Sequence, residues 1–407
     1  MSSWRLSANG LRTVVELELR QRIRSRRWIW ALVGWFALIG AITSLVIWAA
    51  SKNWGNPDTD LGPGGPMAFG LITYFVLGLG LMIAPAFTST SINGDRAAGT
   101  LATLQATRLS AIDLAMGRLI AAWLTAAVFV LVATPFIAWS MVLGSISVWQ
   151  VLVVFLVVLA EVAIVAAIGL GWSALLSRAA GAAAMTYLSV IVLSVITVVV
   201  FALATMVSVT PQTERVWGLT PAAQEEYAKY VNDYLEEHPD AASPPPPVDK
   251  CTWWERTTYQ PRPDKVWWML VGNPFVVVAD AAPLPPGVSA DLRSYRRLSN
   301  DPLASVRYAV RSLGIPSTHE IDDCSSYYME LPGYSVEWDA DDNAVVKGPD
   351  GKVVNVSPVK RKVVNVESPV WPWGLGFHFA WGALFFWIAV RRLSIPAGVL
   401  PRGTRVA

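Results

Sequence analysis

The chain has 407 residues, 54% of them hydrophobic and only 15% charged, with a net charge of +2 and a mean hydropathy of +0.43. Soluble domains carry about 25% charged residues, so a single soluble core is excluded. Seven of the 30 acidic residues (Glu16, Glu18, Asp58, Asp60, Asp95, Asp113 and Glu161) precede residue 210 and the other 23 fall between Glu214 and Glu367, which makes that later stretch a mildly acidic, water-facing region and not a nucleic-acid binder.

At the start of the chain, Leu11, Val15, Leu19 and Ile23 recur every four residues with Val14 alongside, while Arg12, Glu16, Arg20 and Arg24 lie off that line. The spacing predicts an amphipathic helix within residues 1–27, lying on the inner membrane surface with its arginines at anionic headgroups. A hydrocarbon core about 30 Å thick needs roughly 20 apolar residues in a helix. Such runs occur at Trp28 to Ala50, Met67 to Ser91, Leu114 to Leu143, Val148 to Leu176 and Ala184 to Val209, with a sixth at Val370 to Val390. Arg20, Arg22, Arg24, Arg26 and Arg27 precede the first run, and Arg391, Arg392, Arg402 and Arg405 follow the last. The positive-inside rule therefore predicts both termini in the cytoplasm and the region 210–369 outside.

Within that region Thr220 and Pro221 predict a helix start, with Ala223, Tyr227, Tyr230, Val231 and Tyr234 on one face. Pro244 to Pro247 form a stiff spacer. The stretch 266–282 is apolar but carries Asn273-Pro274 at its centre and is short for a crossing, so a re-entrant or interfacial pair of short helices is predicted. Asp301 and Pro302 start another helix, with Leu303, Val306, Val310 and Leu313 inward and Gly314 as a stop. Val345-Val346 and Val353-Val354 are predicted to pair as a hairpin around Pro349-Asp350-Gly351. The tryptophans at 253, 254, 267, 268, 371 and 373 fit either an outer aromatic belt or the core of the outer domain. Cys251 and Cys324 are the only cysteines; an outer location favours a disulfide between them over two buried thiols.

The fold class expected is thus an all-α polytopic membrane protein of six spans, with an α+β extracytoplasmic domain inserted between the fifth and sixth. Residues 28–209 hold five spans, 370–390 the sixth, and 391–407 a cytoplasmic tail. The sequence has no G-x-x-x-x-G-K-[ST] loop, no H-E-x-x-H, no G-x-S-x-G elbow, and no ligand-like spacing among His238, His319 and His378. No cofactor, metal site or enzymatic activity is expected in this chain.

The connection 92–113 carries the most specific pattern. Gly94-Asp95-Arg96, Gly99-Thr100-Leu101, Leu104, Thr107, Leu109-Ser110 and Gly117-Arg118 together resemble the signature of the type 2 ABC exporter permeases, with Asp95 where Glu is usual and Arg118 where Lys is usual. Asn273-Pro274-Phe275 is similar to a step before that family's final helix. The resemblance implies a short coupling helix at about 99–104, with Asp95, Arg96, Gly99, Thr100, Leu101 and Leu104 docking onto a separate ABC ATPase subunit that holds ATP and Mg. It also implies a second permease chain as partner, a plasma-membrane location and export of a substrate.

Glu161 is the one acidic residue deep in an apolar run. An intramembrane carboxyl lines a pathway or a proton relay, or serves as a hydrogen-bonded packing residue, and both readings are open. Two alternatives to export are a membrane-anchored recognition or assembly protein, favoured by the long insertion, and a gradient-driven transporter centred on Glu161.

Overall fold

The structure is a computed structural model and describes residues 6–23, 26–52, 64–101, 109–144, 146–239, 244, 247–284, 301–315, 320–329, 333–339, 343–359 and 368–394. It is mostly helical, with six helices long and apolar enough to cross a membrane: Trp28–Ala49, Gly65–Ala97, Ala111–Val142, Val148–Leu175, Ala179–Val207 and Trp371–Leu393.

The breaks within these spans have local causes. The third span restarts at Thr134, where Pro135 can donate no backbone hydrogen bond to the preceding turn. The fifth contains a π turn at Val192–Ile196, which widens the helix by one residue. Ser110 and Asp113 form a reciprocal capping box at the start of the third span, and Ser147 caps the fourth.

Two compact units result. The membrane unit contains residues 1–202, 267–312 and 366–407, and the other unit 203–266 and 313–365. Residues 210–369, expected as one domain, are divided between the two units, because the apolar stretch around Asn273 and the helix Pro302–Leu313 pack with the spans. Leu303 joins the core of Phe69, Ile72 and Leu77, and Tyr74 Oη donates to the Pro302 carbonyl at 3.4 Å. The stretch around Asn273 is a 3-10 helix, Trp267–Gly272, followed by a short α-helix, Pro274–Ala281.

At the centre of the membrane unit the second, third and fourth spans bury apolar faces, and the sixth lies along the fourth. The sixth approaches the 3-10 helix so closely that a Cβ on Gly374 would sit 2.3 Å from the Val271 carbonyl oxygen, which only glycine permits. The first and fifth spans instead expose most of their apolar side chains, a surface that only lipid or another membrane chain can cover.

The amphipathic helix is Ala8–Ile23, packed along the third span. Its buried line is Gly10 and Val14, continued by half-buried Glu18 and Arg22, one position off the predicted Leu11, Val15, Leu19 and Ile23. Ile23 is exposed. Two features select this face: Gly117 leaves room for Val14, and Arg118 and Thr125 offer polar partners to Glu18 and Arg22.

The second unit contains two three-stranded sheets. In the first, β1 (Thr210–Gly218) lies between β2 (Thr252–Gln260), antiparallel, and β3 (Glu320–Asp322), parallel. Trp253 and Trp254 belong to β2, and Trp253 meets Trp217 at 5.6 Å, so this pair is built into the sheet. In the second, β4 (Ser335–Trp338), β5 (Ala344–Lys347) and β6 (Val353–Val356) form a meander. The predicted hairpin is present with a shifted register: Val345 faces Val356 and Lys347 faces Val353, because a bulge at Val346/Lys347 precedes a turn closed by the Gly348 amide on the Lys352 carbonyl. Helix Pro221–Glu237 starts as expected, with Thr220 accepting from the Ala223 amide. The disulfide Cys251–Cys324 is formed, with Cα atoms 6.2 Å apart.

Candidate functional site

The connection between the second and third spans is held on both sides, and among its described residues a short corner is exposed. On the near side, Ser173 Oγ accepts the Ile92 and Asn93 amides at 3.0 and 3.3 Å, and buried Arg96 donates to the Ala174 carbonyl at 3.0 Å. Asp95 pairs with Arg118, whose guanidinium also lies 3.7 Å from Glu18. On the far side, Asp113 accepts the Ser7 amide at 2.8 Å and the Ser110 amide at 3.1 Å, tying the amphipathic helix to the start of the third span.

Between these clamps Ala97, Ala98, Gly99 and Thr100 are exposed. Gly99 has φ +71° with open space around it, a left-handed corner that favours glycine. Leu101 turns back inward, buried with Val14, Ile92, Leu114, Val390 and Leu393. Of the residues singled out in the sequence, the structure thus brings Asp95, Arg96 and Leu101 into the protein as anchors and leaves Gly99 and Thr100 outward. Leu104 and Thr107 lie outside the described residues.

A second constellation surrounds the sixth span. His378, a residue sequence spacing did not connect to anything, is buried with Nδ1 2.9 Å from Glu161 Oε1 and Nε2 2.8 Å from the Gly272 carbonyl oxygen. The next residue, Asn273, caps helix Pro274–Ala281 by accepting the Phe275 amide, and its Nδ2 donates to the Ser194 carbonyl at 2.8 Å and Thr197 Oγ1 at 2.9 Å. Ser194 lies within the π turn of the fifth span. Asp280 completes the set. Its Oδ2 accepts the Val370 and Trp371 amides at the start of the sixth span, at 2.6 and 2.7 Å, and its Oδ1 accepts Arg311 Nε at 2.5 Å. A carboxylate at a helix N-terminus satisfies amides that have no partner within the helix.

Beside this set, a cavity of about 350 Å³ opens between the third, fourth and sixth spans, lined by apolar side chains such as Leu119, Ala163, Ile164, Leu375, Phe379 and Phe386. Nothing in it can hold a polar ligand.

A family model described as ABC-2 family transporter protein matches residues 12–235, more than half of the chain. The chain belongs to this family. The match takes in the amphipathic helix, five spans and the clamped connection, and ends before the Asn273 corner and the sixth span. No curated protein matches the chain. This ABC-2 transporter protein is therefore a multi-pass transmembrane subunit of an ABC transporter, a class whose members carry transport and work with ABC ATPases.

Proposed function

We propose that this chain is the permease half of an ATP-driven exporter in the plasma membrane, with both termini cytoplasmic, the sheet unit outside, a second permease chain beside it and ATPase subunits on the connection between the second and third spans. The observation that carries this is the contrast within that connection: its ends are fixed by Arg96, Asp95–Arg118 and Asp113–Ser7, while Ala97 to Thr100 project into solvent. A short exposed corner on fixed ends moves with the spans as a rigid body, as a lever between an ATPase and a pathway must. The disulfide supports an oxidising compartment for the sheet unit, and the arginine-rich ends support a cytoplasmic location for the termini. The recognition role, the second reading of the sequence, fits the sheet unit as a part of the exporter.

Ala97→Trp and Ala98→Trp, introduced together on exposed positions, test the docking site. Co-purification with the cognate ATPase is expected to weaken at least about tenfold, equivalent to about 1.4 kcal/mol, with an unchanged size-exclusion profile. Undiminished association would place the docking site elsewhere. Leu101→Asp, by contrast, puts a charge into an apolar core and should disturb the fold itself.

A further inference from the structure

The Glu161–His378–Gly272 chain can be read proton by proton. A peptide carbonyl only accepts hydrogen bonds, so the 2.8 Å contact from Nε2 to Gly272 requires a hydrogen on Nε2. The 2.9 Å contact between Nδ1 and Glu161 Oε1 also requires one hydrogen, on Nδ1 facing an ionised carboxylate or on the carboxyl facing a bare nitrogen. Both arrangements contain the same number of protons and no net charge, which suits a site only 1–2% exposed. Removing that one shared proton leaves a neutral imidazole with a single N–H and two acceptors. It can then serve Glu161 or Gly272, but not both.

We infer that Glu161 and His378 form a one-proton site whose task is to position the Asn273–Pro274 corner. Glu161 acts through His378, which holds Gly272, and Asn273 in turn holds the π turn of the fifth span. The fourth, fifth and sixth spans are thereby joined at one corner by a proton that can leave. Other charged groups on the elements packed against the sixth span are already engaged: Asp280 with Arg311 and two helix amides, Arg118 with Asp95 and Glu18, and Asp113 with Ser7 and Ser110. Arg391 and Arg392 lie at the far end of the sixth span, and the 3-10 helix Trp267–Gly272 carries no charge. Among the described residues, Glu161 is the charged group within ion-pair distance of the imidazole. This inference does not rest on the direction of transport or on the docking site.

Hydrogen exchange of the amides in 270–281, on the full chain in lipid nanodiscs and normalised to unstructured rates at each pH, tests it. In the wild type, protection is expected to fall at least about tenfold as the pH is raised and the shared proton is lost. Glu161→Gln keeps a donor to Nδ1 that does not titrate, so protection should stay high throughout. His378→Leu removes the donor to Gly272 itself, so protection should be low already at neutral pH and flat with pH. Strands β1 and β2 report that each variant is folded. The inference is overturned if Glu161→Gln behaves like His378→Leu, or if the wild type and Glu161→Gln follow the same curve.

Discussion

The membrane unit and the sheet unit are held together in opposite ways. In the membrane unit a large apolar core is crossed by a few buried polar links, such as Asp280 with Arg311 and the first amides of the sixth span. In the sheet unit the buried apolar cluster joining the strands is small, formed by Cys324, Tyr328 and Val346, and the disulfide runs through it. A large core tolerates an internal charge where an opposite charge or hydrogen bonds meet it, whereas a small core needs a covalent closure to offset chain entropy.

The sharpest test of this contrast is Asp280→Ala, which takes the carboxylate from Arg311 and from two helix amides at once. A cost of about 3–5 kcal/mol for the broken buried pair, with roughly 1 kcal/mol more for the lost cap, should appear as a lower melting temperature of the spans while the sheet unit still resists protease. Next comes Cys251→Ala with Cys324→Ala. The separation of 73 residues gives a loss of about 4 kcal/mol in the chain-entropy model. Limited proteolysis should then cut within 203–266 and 313–365 and leave the spans intact; spans that fail together with the sheets would erase the distinction between the units.

The smallest effect belongs to Asp301, whose Oδ1 caps helix Pro302–Leu313 by accepting the Leu303 and Ala304 amides. Burial pushes its carboxyl up to about 6, partly opposed by those two amides. A carboxyl raised in the folded state contributes stability that is fully present below the ordinary carboxylate range and is lost as pH rises through about 6. Asp301→Asn caps without a charge, so the two proteins should melt alike near pH 4. Above about pH 7 the variant should be the more stable by up to about 3 kcal/mol. Parallel melting curves across that range would show that the carboxyl is not strained by burial.

Much of this architecture is legible in the residues because a membrane span is a local property. Each of the six apolar runs became a helix with ends within a few residues of the run, and the Thr220-Pro221 and Asp301-Pro302 starts were readable from capping chemistry alone. Strands were harder. In β2, TWWERTTYQ, the β-branched and aromatic residues are a strand signal, but Glu255 and Arg256 interrupt it and the partner β1 lies over 30 residues earlier. The His378–Glu161 pair was invisible for a similar reason: its members stand 217 residues apart. The one available signal was that each is a lone ionisable residue within an apolar run. In the clamped connection the motif residues were found but not their directions, since whether Arg96 and Leu101 point in or out depends on Ala174 and Val390, far along the chain.

The cap on the sixth span also bears on how the polypeptide is made. The sixth is the least apolar of the six candidate spans, and its first amides are met by Asp280, itself anchored by Arg311, both synthesised earlier. By the time this helix leaves the ribosome its acceptor already exists, so its insertion completes a seat prepared in advance. A truncation removing 267–312 should therefore leave five spans inserted and the sixth stranded.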